Sequence, residues 1–385
     1  MVAIVKKHPQ CPDIYPEQIP EEITKKDREI FLKVINANLE PEQQETIRNP
    51  EQVFPRQREV LAVHWHPEYI PLDLAIERID RMYPNRETEL IIPTEHNEIR
   101  SYAGYSGVEV DCYSQGFNQK VQLLLHFKSQ NIAQENVLQS MLEHTRKYRS
   151  SQLLSFMQTI LEPVQERMEA ASKDTGADLE LIQFCSIYVQ KIKLLVDEYF
   201  EHIPTSMFKN KLIRNFFDYL RQDYDPVAID RCQNFLKAVK KRVKEDFSLQ
   251  YFYRTSEIIE EARLHRAGVI IPHPEQFWPI LLADYDVDGY EVWNPQSQKY
   301  TEFLISVVNR KNRESGNSKK LLIFMGDDTH LGEKVKDREF QDQAKAAREI
   351  GYQPAWEDLS ISKKLIRNQV SRSRTIQEYK AILDG

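Results

Sequence analysis

Seven short apolar runs, each closing in a polar cluster, constrain this chain more than any other feature. They are EVLAVHWH (59–66), ELIIPTEHN (89–97), SGVEVDCY (106–113), KVQLLLHF (120–127), AGVIIPHP (267–274), DGYEVWN (288–294) and KLLIFMGDDTH (320–330). Runs of this length read as strands buried in a parallel sheet. Amphipathic helical stretches separate several of them, LDLAIERIDRMY after the first and TSEIIEEARLHR before the fifth. That alternation predicts an α/β chain closed into a βα-type barrel. The third and fourth runs are joined too closely for a crossover helix.

Between His126 and about Thr255 the strand signals lapse and helical spacing takes over, as in LLSFMQTILEPVQERM, DLELIQFCSIYVQKIKLLVDEYFEHI and DRCQNFLKAVKKRVKEDF. The expected organisation is an N-terminal helical extension over 1–58 and a barrel built from 59–127 and 255–335. A helical insertion fills 128–254, after the fourth strand, and further helices occupy 336–385. The basic run AVKKRVK reads first as a solvated helix face.

A net charge of −7 gives no global basic footprint for nucleic acid. No apolar run approaches the ~20 residues a membrane span needs, and the first residues lack the order of a signal peptide. Cys11, Cys112, Cys185 and Cys232 are widely spaced, so neither a disulfide framework nor a thiolate zinc site is expected. These features together predict a cytoplasmic protein without a membrane partner.

The chemistry gathers at the ends of the strands. His64, His66, His96, His126, His273 and His330 all fall there, with carboxylates at Glu109, Glu291 and Asp328. Residues i and i+2 of a strand face the same side, so His64 pairs with His66 and Asp328 with His330. In a parallel barrel the C-terminal strand ends converge on one face. Any one of these histidines alone would more often be structural. Together they predict a shared metal centre, and imidazole with carboxylate suits Zn, Mn or Fe better than Mg or Ca. Glu291 and Asn294 read equally well as groups that orient ligands or as strand-end caps.

The ordered motifs His64-Trp-His66, Thr94-Glu-His96-Asn97, Gly107-Val-Glu109, His126, Ile271-Pro-His273-Pro274 and Gly326-Asp-Asp328-Thr-His330 resemble those of the PHP (polymerase and histidinol phosphatase) superfamily. The resemblance covers roughly 59–127 and 255–335. It implies a distorted seven-stranded (β/α)7 barrel and two or three divalent transition metal ions. One ion would take His64, His66, Glu109 and Asp328, and a second would share Glu109 and add His126 and His273. A third would take His96 and His330. It also implies hydrolysis of a phosphoester by a metal-bridging hydroxide, with Glu109, Asp328 and His330 as catalytic residues.

The chain departs from that pattern in three places. No histidine follows the HxH before His96, and Glu68 is the best-placed acidic replacement. Glu95 and Asp327 stand where the family more often has Asp and Ser. For the substrate, Arg100, Lys128 and Lys334 each follow a ligand motif closely enough to meet a phosphate. The expected substrate is a small phosphomonoester or nucleotide. The alternatives are a nuclease-like phosphodiesterase guided by the AVKKRVK helix, a non-catalytic metal-binding scaffold, and an amidohydrolase-type barrel. The oligomeric state is not legible.

Overall fold

The computed structural model describes residues 16–132, 135–314 and 320–385. These form two compact units, one of residues up to 38 and 147–248, the other of 39–146 and 249–385. Cys11 and His8 lie outside the described residues.

The larger unit carries the strands. In chain order they are β1 (Glu59–Ala62), β2 (Trp65–His66), β3 (Thr88–Ile91), β4 (Arg100–Tyr102) and β5 (Tyr105–Ser114). They continue as β6 (Gln119–Lys128), β7 (Gly268–Ile271), β8 (Gly289–Trp293), β9 (Leu322–Met325) and β10 (Thr329–His330). Strands β4 to β9 form one mixed six-stranded sheet in sequence order. The pairs β1–β3 and β2–β10 are separate, parallel and two-stranded.

The seven expected runs are therefore strands in whole or part, but the seven-stranded (β/α)7 barrel is not formed. Among the described residues no closed barrel exists. The reason is local. Strands β5 and β6 are joined by a tight connection over Gln115–Asn118, and a connection that short makes them antiparallel. Strand β6 then pairs antiparallel with β7, and the parallel run resumes only through β8 and β9. At the far end, β9 stops at Met325, and Asp328 takes a left-handed backbone (φ 47°) before β10 begins. The chain thus pairs β10 with β2 instead of extending β9 toward β1.

Packing explains why the strands lie as they do. Leu61, Val63, Leu90, Ile92, Val108, Val110, Leu123, Leu125, Val269 and Ile271 are buried in one apolar cluster with Ile258, Ile259, Leu304 and Tyr379. Val60, Ala62 and Trp65 join a second cluster with Ile79, Met82 and Tyr83. In strand β1 the alternating residues thus serve two different cores, as the period-2 side-chain rule requires.

The smaller unit is helical and has its own core. Phe31, Phe156, Phe184, Tyr188, Phe216, Phe217, Phe235 and Val239 pack within it. Its helices start where the sequence places capping groups. Thr24 and Asp27 form a capping box before Lys25–Ile35. Asp178 caps Leu179–Glu198, and Asp225 with Pro226 opens Pro226–Glu245. No helix among the described residues is long and apolar enough to cross a membrane.

Candidate metal centre

The segments that follow β1 and β3 are pinned to their neighbours by backbone hydrogen bonds. Ile92 N donates to Ala62 O (2.8 Å), and Thr94 N donates to Trp65 O (2.9 Å). Asn97 N donates to Glu109 O (2.7 Å) and Glu109 N to Glu95 O (2.9 Å), which sets His96 beside Glu109. Asp328 N donates to His64 O (2.9 Å), bringing the last motif to the first.

The result is a close cluster. Glu109 is its centre: one carboxylate oxygen lies 3.7 Å from His64 Nε2 and 3.3 Å from His273 Nε2. The other lies 3.6 Å from His66 Nε2 and 2.6 Å from His96 Nδ1. Asp328 Oδ1 lies 3.7, 3.6 and 3.4 Å from the Nε2 atoms of His64, His66 and His330. The His66, His96 and His330 rings form a triangle, with His66 4.5 Å from His96 and 4.3 Å from His330, and those two 5.9 Å apart. Glu68 Oε1 is 3.4 Å from His330 Nδ1.

Three groups have donor atoms close enough to share a cation: His66 with His96 and His330, His64 with Glu109 and His273, and His64 with His66 and Asp328. The residues fit such an ion on a further ground. Among the described residues, His64 Nε2 and both ring nitrogens of His66 are buried with no hydrogen-bond partner. Leaving polar atoms buried and unpaired costs about 1–3 kcal/mol each, so this many in one place needs a compensating ligand.

Surrounding groups aim the donors. His64 Nδ1 donates to Glu291 Oε1 at 2.6 Å, which turns Nε2 into the cluster. The other Glu291 oxygen accepts from His273 N at 3.0 Å. Gly326 makes room for this carboxylate, because a Cβ there would overlap it. Asp328 Oδ2 accepts from Arg348 Nη1 (2.8 Å) and Gln296 Nε2 (2.7 Å), leaving Oδ1 for the imidazoles. Arg348 also donates to the Asp328 carbonyl at 2.9 Å. Four non-glycine residues here have a positive φ: Glu68 (56°), Asn97 (56°), His273 (27°) and Asp328 (47°). Strain of that kind costs about 1–3 kcal/mol per residue and concentrates at functional sites.

Proton affinities follow from the packing. Burial opposes a charge on His64, but Glu291, Asp328 and Glu109 outweigh it and lift its pKa to about 10. Burial, with His330 and His96 alongside, keeps His66 well below the usual imidazole value. Burial would raise Glu109 and Asp328, yet the surrounding imidazoles hold both well below the carboxylate range.

Of the residues expected from the sequence, the structure brings together His64, His66, Glu68, His96, Glu109, His273, Asp328 and His330. It does not bring His126 into these groups. Burial drives its pKa to about 3, so the ring is neutral. Its Nε2 donates to Val63 O (2.9 Å), and Nδ1 then accepts from Tyr379 Oη (2.8 Å), leaving no lone pair for a cation. Arg100 pairs with Glu98 at 3.0 Å and Lys128 with Asp384 at 2.8 Å. Lys334 is buried against Glu349 (2.9 Å) and the Ala346 carbonyl. Asp327 joins none of these groups and accepts from Thr329 N and Gly351 N. Sequence reasoning missed Arg348, Gln296 and Tyr379; no motif marks them. For Glu291 the signal was present, a carboxylate at a strand end.

No family model matches the chain, and no curated protein matches it. Among solved structures, a candidate metal-dependent phosphoesterase from Bifidobacterium adolescentis is similar at 15% identity. The match covers 83% of this chain and 97% of that one, with a TM-score of 0.37. A likeness that loose carries no argument about fold or function.

Proposed function

We propose that this chain is a metal-dependent hydrolase of phosphoesters, acting on a small phosphomonoester or nucleotide. The observation that supports this most is Glu109, a buried carboxylate in contact with four imidazoles. His64 and His273 would hold one ion with it, and His66, His96 and His330 another, with Asp328 between them and Glu68 beside His330. Imidazole–carboxylate sets of this kind suit Zn, Mn or Fe. Divalent ions supply Lewis acidity to a phosphoryl oxygen and draw the pKa of water toward neutrality.

The chain's own residues hold and aim. Glu291 orients His64; Arg348 and Gln296 orient Asp328; Glu95 Oε2 accepts from Glu68 N at 2.8 Å and fixes the turn that presents Glu68. Glu109, Asp328 and His330 are the side chains we assign to contact with the reacting groups. The ordered strand-end motifs, which resemble those of PHP phosphoesterases, support phosphorus over carbon as the centre attacked.

The test is turnover of p-nitrophenyl phosphate and bis-p-nitrophenyl phosphate by protein loaded with Zn, Mn or Fe, with Glu109→Gln as control. The expected result is metal-stimulated monoester hydrolysis, lost by at least about a hundredfold in Glu109→Gln. No turnover of either ester by metal-loaded protein between pH 6 and 9 would overturn the reading.

A further inference from the structure

The helical unit holds a concentration of charge that its core does not require. The helix Pro226–Glu245 buries Ala228, Ile229, Cys232, Phe235, Leu236, Val239 and Val243 on one side. Lys237, Lys240, Lys241 and Lys244 stand at i, i+3, i+4 and i+7, a single stripe on another side. At 1.5 Å per residue the stripe is about 10 Å long. It lines a concavity of about 780 Å³, together with Asn234, Ala238, Asp174, Thr175 and Glu245.

The acids of this concavity are already engaged. Arg242 takes Asp174 at 2.7 Å and Glu245 at 3.2 Å, and Lys241 reaches Glu245 only at 3.8 Å. No carboxylate lies within ion-pair distance of Lys237 or Lys240 among the described residues. The half-buried Lys240 feels the charges of Arg214 and Lys237, which have the same sign. Burial first, then these two cations, hold its ammonium below the ordinary value. An array that repels itself is stabilised by an anion with several charges at close spacing.

We propose that this concavity binds a compact polyphosphate, a small ligand bearing two or more adjacent phosphate groups. The concavity, about 780 Å³ and open to solvent, is large enough for a small ligand held at the surface by charge. A single phosphate would meet only part of a 10 Å stripe. A nucleic-acid strand would have to continue past Asp174 and Glu245, which line the same concavity, on a chain of net charge −7. The proposal is independent of the metal centre.

Isothermal titration of the full-length protein tests it. Chelator-treated protein is used, so that no cation at Glu109 recruits phosphate, and the probe is inorganic tripolyphosphate at low salt. The expected result is saturable binding, tighter than that of orthophosphate and weakened by added salt. Lys237→Gln/Lys240→Gln weakens it by about three- to tenfold, the scale of two charge contacts near the surface. Because Lys240 is half-buried, the exposed pair Lys237→Gln/Lys241→Gln is measured in parallel and shows a loss of similar size. Three results would each overturn the proposal: no binding of tripolyphosphate, binding unchanged in both double variants, or binding of a single-stranded oligonucleotide without binding of tripolyphosphate.

Discussion

Asp328 shows how this site is assembled one residue at a time. Its backbone is left-handed, its Oδ2 is taken by Arg348 and Gln296, and its Oδ1 faces three imidazoles. Arg348 lies twenty residues farther along the chain. Arg348→Met should therefore weaken metal binding by roughly tenfold or more, the scale seen when partners of metal ligands are removed. It should also destabilise the fold by about 1–3 kcal/mol, because Oδ2 loses its buried partner. Gln296→Ala, at an exposed position, should lower metal affinity with a smaller loss of stability. Chelator-competition titration and thermal melts separate the two effects; unchanged affinity in both variants would show that this pair does not orient Asp328 for a metal. Glu291→Gln should act alike, since it replaces the carboxylate that aims His64, with a loss of about 10- to 100-fold in affinity.

At this scale the sequence was informative where chemistry and position coincided. His64, His66, His96, His273 and Asp328 sit on or beside strand ends, so their convergence could be foreseen; Glu109 lies in the middle of β5 and meets the cluster because the His96 segment pairs beside it. His126 sits near a strand end too. Its two nitrogens are satisfied by Val63 O and by Tyr379, a residue 253 positions away. Nothing in local spacing announces such a partner.

Among elements, the β5–β6 hairpin decides the sheet. Its turn ends on Asn118 in the left-handed region (φ 48°, ψ 48°), and the Asn118 side chain accepts from Tyr113 Oη at 2.9 Å. Asn tolerates that backbone, whereas a β-branched residue pays about 1–2 kcal/mol for it. Asn118→Ile should lower the stability measured by urea unfolding by that amount, and Asn118→Gly should recover most of the difference. Equal stability of the two variants would show that the turn does not constrain the hairpin. The short link between the third and fourth runs was visible in the sequence. Its consequence was not, because reading the strands as a parallel series ignored that a tight connection forces antiparallel pairing. From there the barrel could not close, although the strands themselves stood close to where the apolar runs placed them.

For the molecule as a whole, the two units have separate cores, and the described cysteines are divided between them. Cys112 lies in strand β5; Cys185 and Cys232 lie in the helical core. All three are buried. Burial raises the Cys112 thiol to about 12 and the Cys185 thiol well above its ordinary value. A thiol whose folded pKa is raised stays neutral until the pH passes that value, so Cys112 and Cys185 lack the reactive thiolate through pH 9, where a free cysteine is largely ionised, and Cys232 is kept from a reagent by its burial. A Cys11→Ser variant should thus show almost no reaction with a thiol reagent between pH 6 and 9. In denaturant, where burial is lost, it should show all three thiols. Rapid native labelling that rises through pH 8.5 would contradict the burial described here.

Metal content tests the central claim most directly. Purified protein, reconstituted with Zn, Mn or Fe and desalted, is measured by elemental analysis beside Glu109→Gln and His66→Ala. The parent chain should hold about two or three equivalents. Its melting temperature should rise on loading, and each variant should lose at least one equivalent. Retention of no stoichiometric metal by the parent, or full retention by both variants, would contradict a metal centre built around Glu109.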